Sequence, residues 1–160
     1  MHTLNDVYVT ARYSKDKQEL LAIIRAMVPG TMETAIIVPH LEKNPIYDSE
    51  IKLEVLCKVP NRYHSFQIVE DIINCAKNTD LMKRLYNTDK NKFGPFVAVN
   101  INEQNEIESM YMTGTAEVKR AAVCNVNARQ DFLERVIQET SDEQEKAFAE
   151  ECLKEISGRN

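Results

Sequence analysis

The sequence predicts an α+β fold: a single domain over 1–160 with a mixed or antiparallel sheet of about five strands. Helices pack on one face and close the C-terminus, in the order β-α-β-β-α-α-β-β. Three observations carry this reading. Residues 51 to 59 alternate strictly, with Ile51, Leu53, Val55, Cys57 and Val59 set against Lys52, Glu54, Leu56 and Lys58, the period of a half-buried strand. Residues 96–101 and 106–112 flank the polar run Asn102-Glu103-Gln104-Asn105, as in a β-hairpin. Apolar residues at helical spacing then crowd the last third of the chain, and segregated strands and helices are the pattern of an α+β domain.

Taken in order, Asp6 to Tyr13 holds Val7, Tyr8 and Val9 and reads as a first strand, with Ser14 as the cap of a following helix. Leu20, Leu21, Ile24, Met27 and Val28 recur at helical spacing, and Pro29-Gly30 ends that helix. Thr34 to Val38 is a short apolar run stopped by Pro39 and reads as a second strand. The stretch 39–49 has two prolines and mixed charge and reads as an irregular, functional loop. After the alternating strand, Ser65 is placed to cap a helix carrying Ile68, Val69, Ile72 and Ile73, and Leu81 to Tyr86 forms a short one. Residues 116–126 fit helix or strand. Thr115 as a cap and the alanines favour helix. A helix from Asn127 and a last one opened by Ser141-Asp142-Glu143-Gln144 form a C-terminal acidic helical pair over 127–157, part of the same domain. No internal repeat is legible.

Composition narrows the function. Twenty basic against 25 acidic residues leave a net charge of −5, which argues against a dedicated grip on nucleic acid. Residues 131–160 hold nine acids and four bases, whereas residues 1–130 balance at sixteen of each, so the net charge belongs to the C-terminal end. No basic leader precedes an apolar run and no stretch is long enough to span a bilayer, so a cytoplasmic location without membrane contact is expected. Cys57, Cys75, Cys124 and Cys152 are separated by 17, 48 and 27 intervening residues. No CxxC pair or Cys/His ligand spacing occurs, so reduced cysteines packed as small hydrophobes are expected, with no metal and no cofactor.

Catalytic motifs are sparse. His2, His40 and His64 are the only imidazoles, and none begins the His-x-Thr/Ser unit that two-histidine phosphoesterases need. Gly30, Gly94, Gly114 and Gly158 stand apart, so no phosphate-cradling loop forms. Met112-Thr113-Gly114-Thr115 could hold an anion, but it has the composition of an ordinary turn. No nucleophile elbow is present. A catalytic set is therefore not expected; the alternative is a small phosphoester- or nucleotide-handling enzyme using His40 with Asp48 and Glu50.

The reading that remains is a small acidic protein that binds and modulates a larger protein with a basic surface, as inhibitor or accessory factor. Its size, charge and thirteen asparagines are compatible with the phage proteins that inhibit host nucleases or ATP-dependent proteases. The expected partner-binding residues are Glu143, Glu150, Glu151 and Glu155 on the last helix, with His40 and Tyr47 in the 39–49 stretch. Lys83, Arg84, Lys90 and Lys92 form a possible basic patch interleaved with aromatics. Met110 to Met112 and the terminal helix offer apolar faces through which a homodimer is possible.

Overall fold

The computed structural model describes residues 4–62 and 65–158. The readings made on His2 and His64, and the proposed Ser65 cap, fall outside what is described. The described chain is all helix: α1 (Leu4–Tyr13), α2 (Lys17–Ala26), α3 (Met32–Glu42), α4 (Ser49–Leu56), α5 (Ser65–Asn74), α6 (Thr79–Thr88), α7 (Lys90–Asn100), α8 (Gln104–Thr113), α9 (Ala116–Val123), α10 (Gln130–Glu139) and α11 (Glu143–Gly158).

No strand occurs among the described residues, so the α+β expectation, its five strands and its hairpin are corrected to a helical bundle. The segment 6–13 lies in α1, 34–38 in α3, and 96–101 and 106–112 fall in or beside α7 and α8. Residues 51–56 belong to α4, where Ile51, Leu53, Glu54, Val55 and Leu56 are all buried. A period of two contains every i, i+4 pair, so an eight-residue helix buried nearly all round satisfies the alternation as well as a strand does. Pro39 and Pro95 sit inside α3 and α7. Each removes the bond to the carbonyl four residues back, on Ala35 and Asn91, which are exposed and within reach of water.

Caps set most of the helix starts. Asp16 accepts from Gln18 and Glu19 N–H at 3.0 and 3.4 Å, displacing the start expected at Ser14. Asp48, Asn78, Asp89 and Thr115 cap α4, α6, α7 and α9 in the same way, at 3.0 to 3.4 Å. Asp142 Oδ1 takes the Gln144 and Glu145 N–H groups at 3.0 Å, one residue later than the expected capping box. Each such bond satisfies one of the orphan donors at a helix N-terminus.

The chain divides into two compact units, Met1–Cys75 and Ala76–Asn160. In the first, α1 packs on α3, α2 on α4 and α4 on α5, around Ala11, Leu20, Leu21, Ile24, Ile37, Val38, Leu41, Ile51 and Val55. In the second, α7 packs on α6 and α9, α8 on α9, and α11 on both α9 and α10. Its buried residues include Leu85, Phe93, Val97, Ile107, Val118, Ala122, Phe132 and Leu133.

The helices recur as pairs with one pattern, which the sequence reading missed. Around Asn44, Asn100 and Asn125, buried apolar residues stand seven before (Ile37, Phe93, Val118), three before (Leu41, Val97, Ala122) and seven after (Ile51, Ile107, Phe132). The pairs are α3–α4, α7–α8 and α9–α10. Asn44 and Asn125 also play the same part in their two units. Asn44 Nδ2 donates to the Ala11 and Ser14 carbonyls, both at 2.9 Å, and Asn125 Nδ2 donates to those of Ala98 and Ile101 at 2.9 and 2.8 Å. Their Oδ1 atoms accept the N–H two residues on, from Ile46 and Asn127. Each asparagine thus ties the turn of its own pair to the end of an earlier helix, α1 for Asn44 and α7 for Asn125.

Candidate functional site

In the first unit an open groove of about 570 Å³ lies among α1, α2 and the start of α3. Val7, Tyr8 and Thr10 line it from α1, and Glu19, Ala22, Ile23 and Ala26 from α2. Met27 and Val28 follow that helix, and Glu33 comes from α3. Its origin is local. Leu20, Leu21 and Ile24 turn to the core of the unit, which leaves Ala22 and Ala26, one turn apart, exposed on the opposite side of α2. Small side chains there keep the surface concave. Val28 is 66% exposed and the nearby Met32 77%, so apolar area is presented to water beside the groove. Among the described lining residues the only charged ones are Glu19 and Glu33.

His40 lies on α3, where its ring stacks on that of Tyr8 with centroids 5.3 Å apart and planes 9° from parallel. Tyr8 in turn lines the groove. Asp48 and Glu50 converge on Lys17, at 2.7 and 2.9 Å. Hydrogen bonding to Asp48, joined by Glu50, holds the Lys17 ammonium above its usual range against the opposing effect of burial. The imidazole therefore meets an aromatic ring, and the two carboxylates meet a lysine. Tyr47 packs its ring against the core of the first unit, with Lys52 Nζ 5.8 Å from the ring centroid. Its hydroxyl is enclosed without a hydrogen-bond partner among the described residues.

In the second unit, Glu143, Glu150, Glu151 and Glu155 are exposed on α11. Glu145 on the same helix is buried and takes the Tyr111 hydroxyl as a hydrogen-bond donor. Burial first, then that carboxylate, push the Tyr111 phenol well above its usual range. The Glu145 N–H, together with the Arg120 guanidinium 3.2 Å away, holds the Asp142 carboxyl below its usual range. A carboxyl with a depressed pKa contributes stability above its unfolded pKa, and that contribution is lost as pH falls through the folded value. Asp142→Ala is therefore expected to lower the unfolding midpoint at pH 7. The gap to wild type should narrow as pH falls below about 4, the usual carboxylate range, in thermal melts across a pH series.

The lysines of the basic patch have local partners. Lys83 pairs with Glu106 at 3.3 Å and Arg84 with Asp80 at 3.4 Å. Lys90 and Lys92 lie over the rings of Tyr86 and Phe93, at 5.5 and 5.3 Å. Lys83, Tyr86 and Lys90 also line a smaller cleft of about 170 Å³, shared with Glu106, Ser109 and Thr113. At Met112–Thr115 the chain passes from α8 to α9, and Thr115 spends its hydroxyl on the Val118 N–H. The four cysteines are free thiols, Cys124 exposed and the other three half-buried.

Among the described residues no group of three or more His, Cys, Asp or Glu is placed to hold a metal ion, and no helix is long and apolar enough to cross a membrane. No protein-family model, curated protein or solved structure matches this chain.

The sequence reading did not find the groove. Its signal was the Ala22/Ala26 pair on the outer face of a helix whose other face is strongly apolar, together with exposed Val28 and Met32.

Proposed function

We propose that this chain binds a larger protein and modulates it, as inhibitor or accessory factor, by seating an apolar, lysine- or arginine-flanked segment of that protein in the α1–α2–α3 groove. The observation that carries this reading is the groove's lining: apolar and small side chains with two carboxylates and no described cation. A helix or extended segment that lays apolar anchors into such a groove gains from their burial. Glu19 and Glu33 then favour basic residues beside the anchors. The exposed glutamates of α11 add a second negative face suited to the same kind of partner.

Ala22 and Ala26 are exposed, so arginine at both positions fills the groove and neutralises its two carboxylates without entering the core. Tagged wild-type chain is expected to recover its partner from the native host at low salt and to lose much of it at high salt, since surface charge contacts are screened. The recovered protein, once identified by mass spectrometry and purified, should bind A22R/A26R at least about tenfold more weakly, by loss of about 1.4 kcal/mol or more. Equal affinity for wild type and variant would reject the groove as the binding site.

A further inference from the structure

The α2 wall of the groove is one face of a single helix. Glu19, Ala22, Ile23 and Ala26 line it, at the i, i+3, i+4 and i+7 positions that share one side of an α-helix. Leu20, Leu21 and Ile24 take the other side and are buried in the core of the unit. Val7 and Thr10, one turn apart on α1, line the same space. The two alanines leave room for a further helix beside α2, because helix axes approach most closely across small side chains.

The walls also restrict the backbone of whatever enters. Most of the lining residues lie within helices, whose main-chain groups point along the helix axis and not out to the side. Met27 and Val28 are the described lining residues outside helices. The Met27 N–H goes to the Ile24 carbonyl at 3.1 Å, and the Val28 carbonyl accepts the Thr31 hydroxyl at 3.0 Å. No strand edge occurs among the described residues. An extended segment docks through a row of open main-chain groups; here it would bury its own N–H and C=O groups against apolar carbon without partners, which is unfavourable. A helix bonds its main chain internally and brings only side chains to the wall.

Volume and charge agree with a helix. A helix about 10 Å across displaces roughly 400 Å³ per turn, so a groove of about 570 Å³ takes about half the section of two to three turns. That is the span of one apolar i, i+3, i+4, i+7 face. Glu19 and Glu33 are exposed, and neither forms an ion pair among the described residues.

Resting on the groove as the binding site, we infer that its occupant is an amphipathic α-helix of the partner. Apolar side chains at i, i+3, i+4 and i+7 pack against α2, and lysine or arginine at the margins of that stripe meets Glu19 and Glu33.

The probes are two leucine–lysine peptides of about 14 residues and identical composition, one with leucines at helical spacing and one with leucines alternating. Each is titrated with the full chain and followed by fluorescence anisotropy. The helix-patterned peptide is expected to bind at least about tenfold more tightly than its alternating isomer and to gain helical circular dichroism when bound. A22R/A26R should weaken its binding by about tenfold or more. E19Q/E33Q, whose exposed side chains keep their size, should weaken it about threefold at low salt and flatten its salt dependence. Equal or tighter binding of the alternating peptide, lost in A22R/A26R, would overturn the helical occupant and leave the groove as the site. So would binding of the helix-patterned peptide without a gain in helix. Equal binding of that peptide by wild type and A22R/A26R would instead remove the groove itself. Absence of binding by the helix-patterned peptide at about 1 mM would overturn the inference, while the recovered partner still tests the groove separately.

Discussion

Replacing Asn125 by alanine is expected to lower the unfolding free energy by about 3 kcal/mol, because it strips the partners from two buried carbonyls at once. Ala98 lies in the last turn of α7, where helix carbonyls have no intrahelical donor, and Ile101 follows just after it. Both residues are fully buried, so water does not readily replace the Asn125 amide that reaches them at 2.9 and 2.8 Å. The third bond, from the Asn127 N–H, matters less because Asn127 is exposed. Asn125→Asp preserves size but offers an acceptor where two acceptors already point, and should be at least as damaging near pH 7. Asn44→Ala makes the same lesion in the first unit at the Ala11 and Ser14 carbonyls. Denaturant unfolding measures the size of the loss, and hydrogen exchange locates it. Protection should fall first within 90–139 for Asn125→Ala and within 4–56 for Asn44→Ala. A loss below about 1 kcal/mol for both would mean that the two asparagines do not hold the helix pairs together.

Gly114→Ala should destabilise by about 2 kcal/mol, the scale of an overpacked site, although its backbone, at φ −84°, suits any residue. The reason is space. A Cβ on Gly114 would lie 2.6 Å from the Met110 carbonyl oxygen and 2.4 and 2.7 Å from Cγ1 and Cβ of Val118. One of these is backbone and cannot swing away. Val118 also presses Cγ2 toward Gly94, where a Cβ would meet it at 2.7 Å, so one side chain of α9 is seated between two glycines. Val118→Ala in the Gly114→Ala background should recover part of the loss, giving a non-additive cycle. Gly158→Ala, with nothing within 4 Å of the added carbon, should change stability little. Equal effects at Gly114 and Gly158, read from chemical denaturation, would show that the slot is not tight. In the sequence, Gly114 stood between hydroxyl residues and read as a turn or anion loop; its small size instead serves the close approach of Val118.

Much of the helical content was legible. The helix expected from Leu20 to Val28 corresponds to α2, those opening at Ser65 and Leu81 to α5 and α6, and the acidic pair at the end to α10 and α11. Thr115 caps α9, in the segment that fitted helix or strand. These segments have clear apolar stripes or cap residues, both written in the order of residues. The five expected strands failed for a common reason. α1, α3, α4, α7 and α8 are only eight to eleven residues long, and β-branched and aromatic residues in short apolar runs fit either periodicity. Asp48 and Glu50 were legible as an acidic pair, but that Lys17 sits between them was not, because it lies about thirty residues earlier in the chain. The groove was hidden for a similar reason, since its walls come from three helices and its concavity depends on two alanines.

By itself the sequence determined the charge balance and its concentration at the C-terminus, the Thr115 cap, and the apolar stripes of the strongly amphipathic segments, because these depend on neighbours within one or two turns. Only the tertiary structure decided that every described regular element is a helix, that Asn44 and Asn125 fasten their turns to the ends of earlier helices, and that an acidic-lined apolar groove opens beside α2. Each of these depends on contacts between residues far apart in the chain, where burial and the satisfaction of backbone carbonyls outweigh local preference.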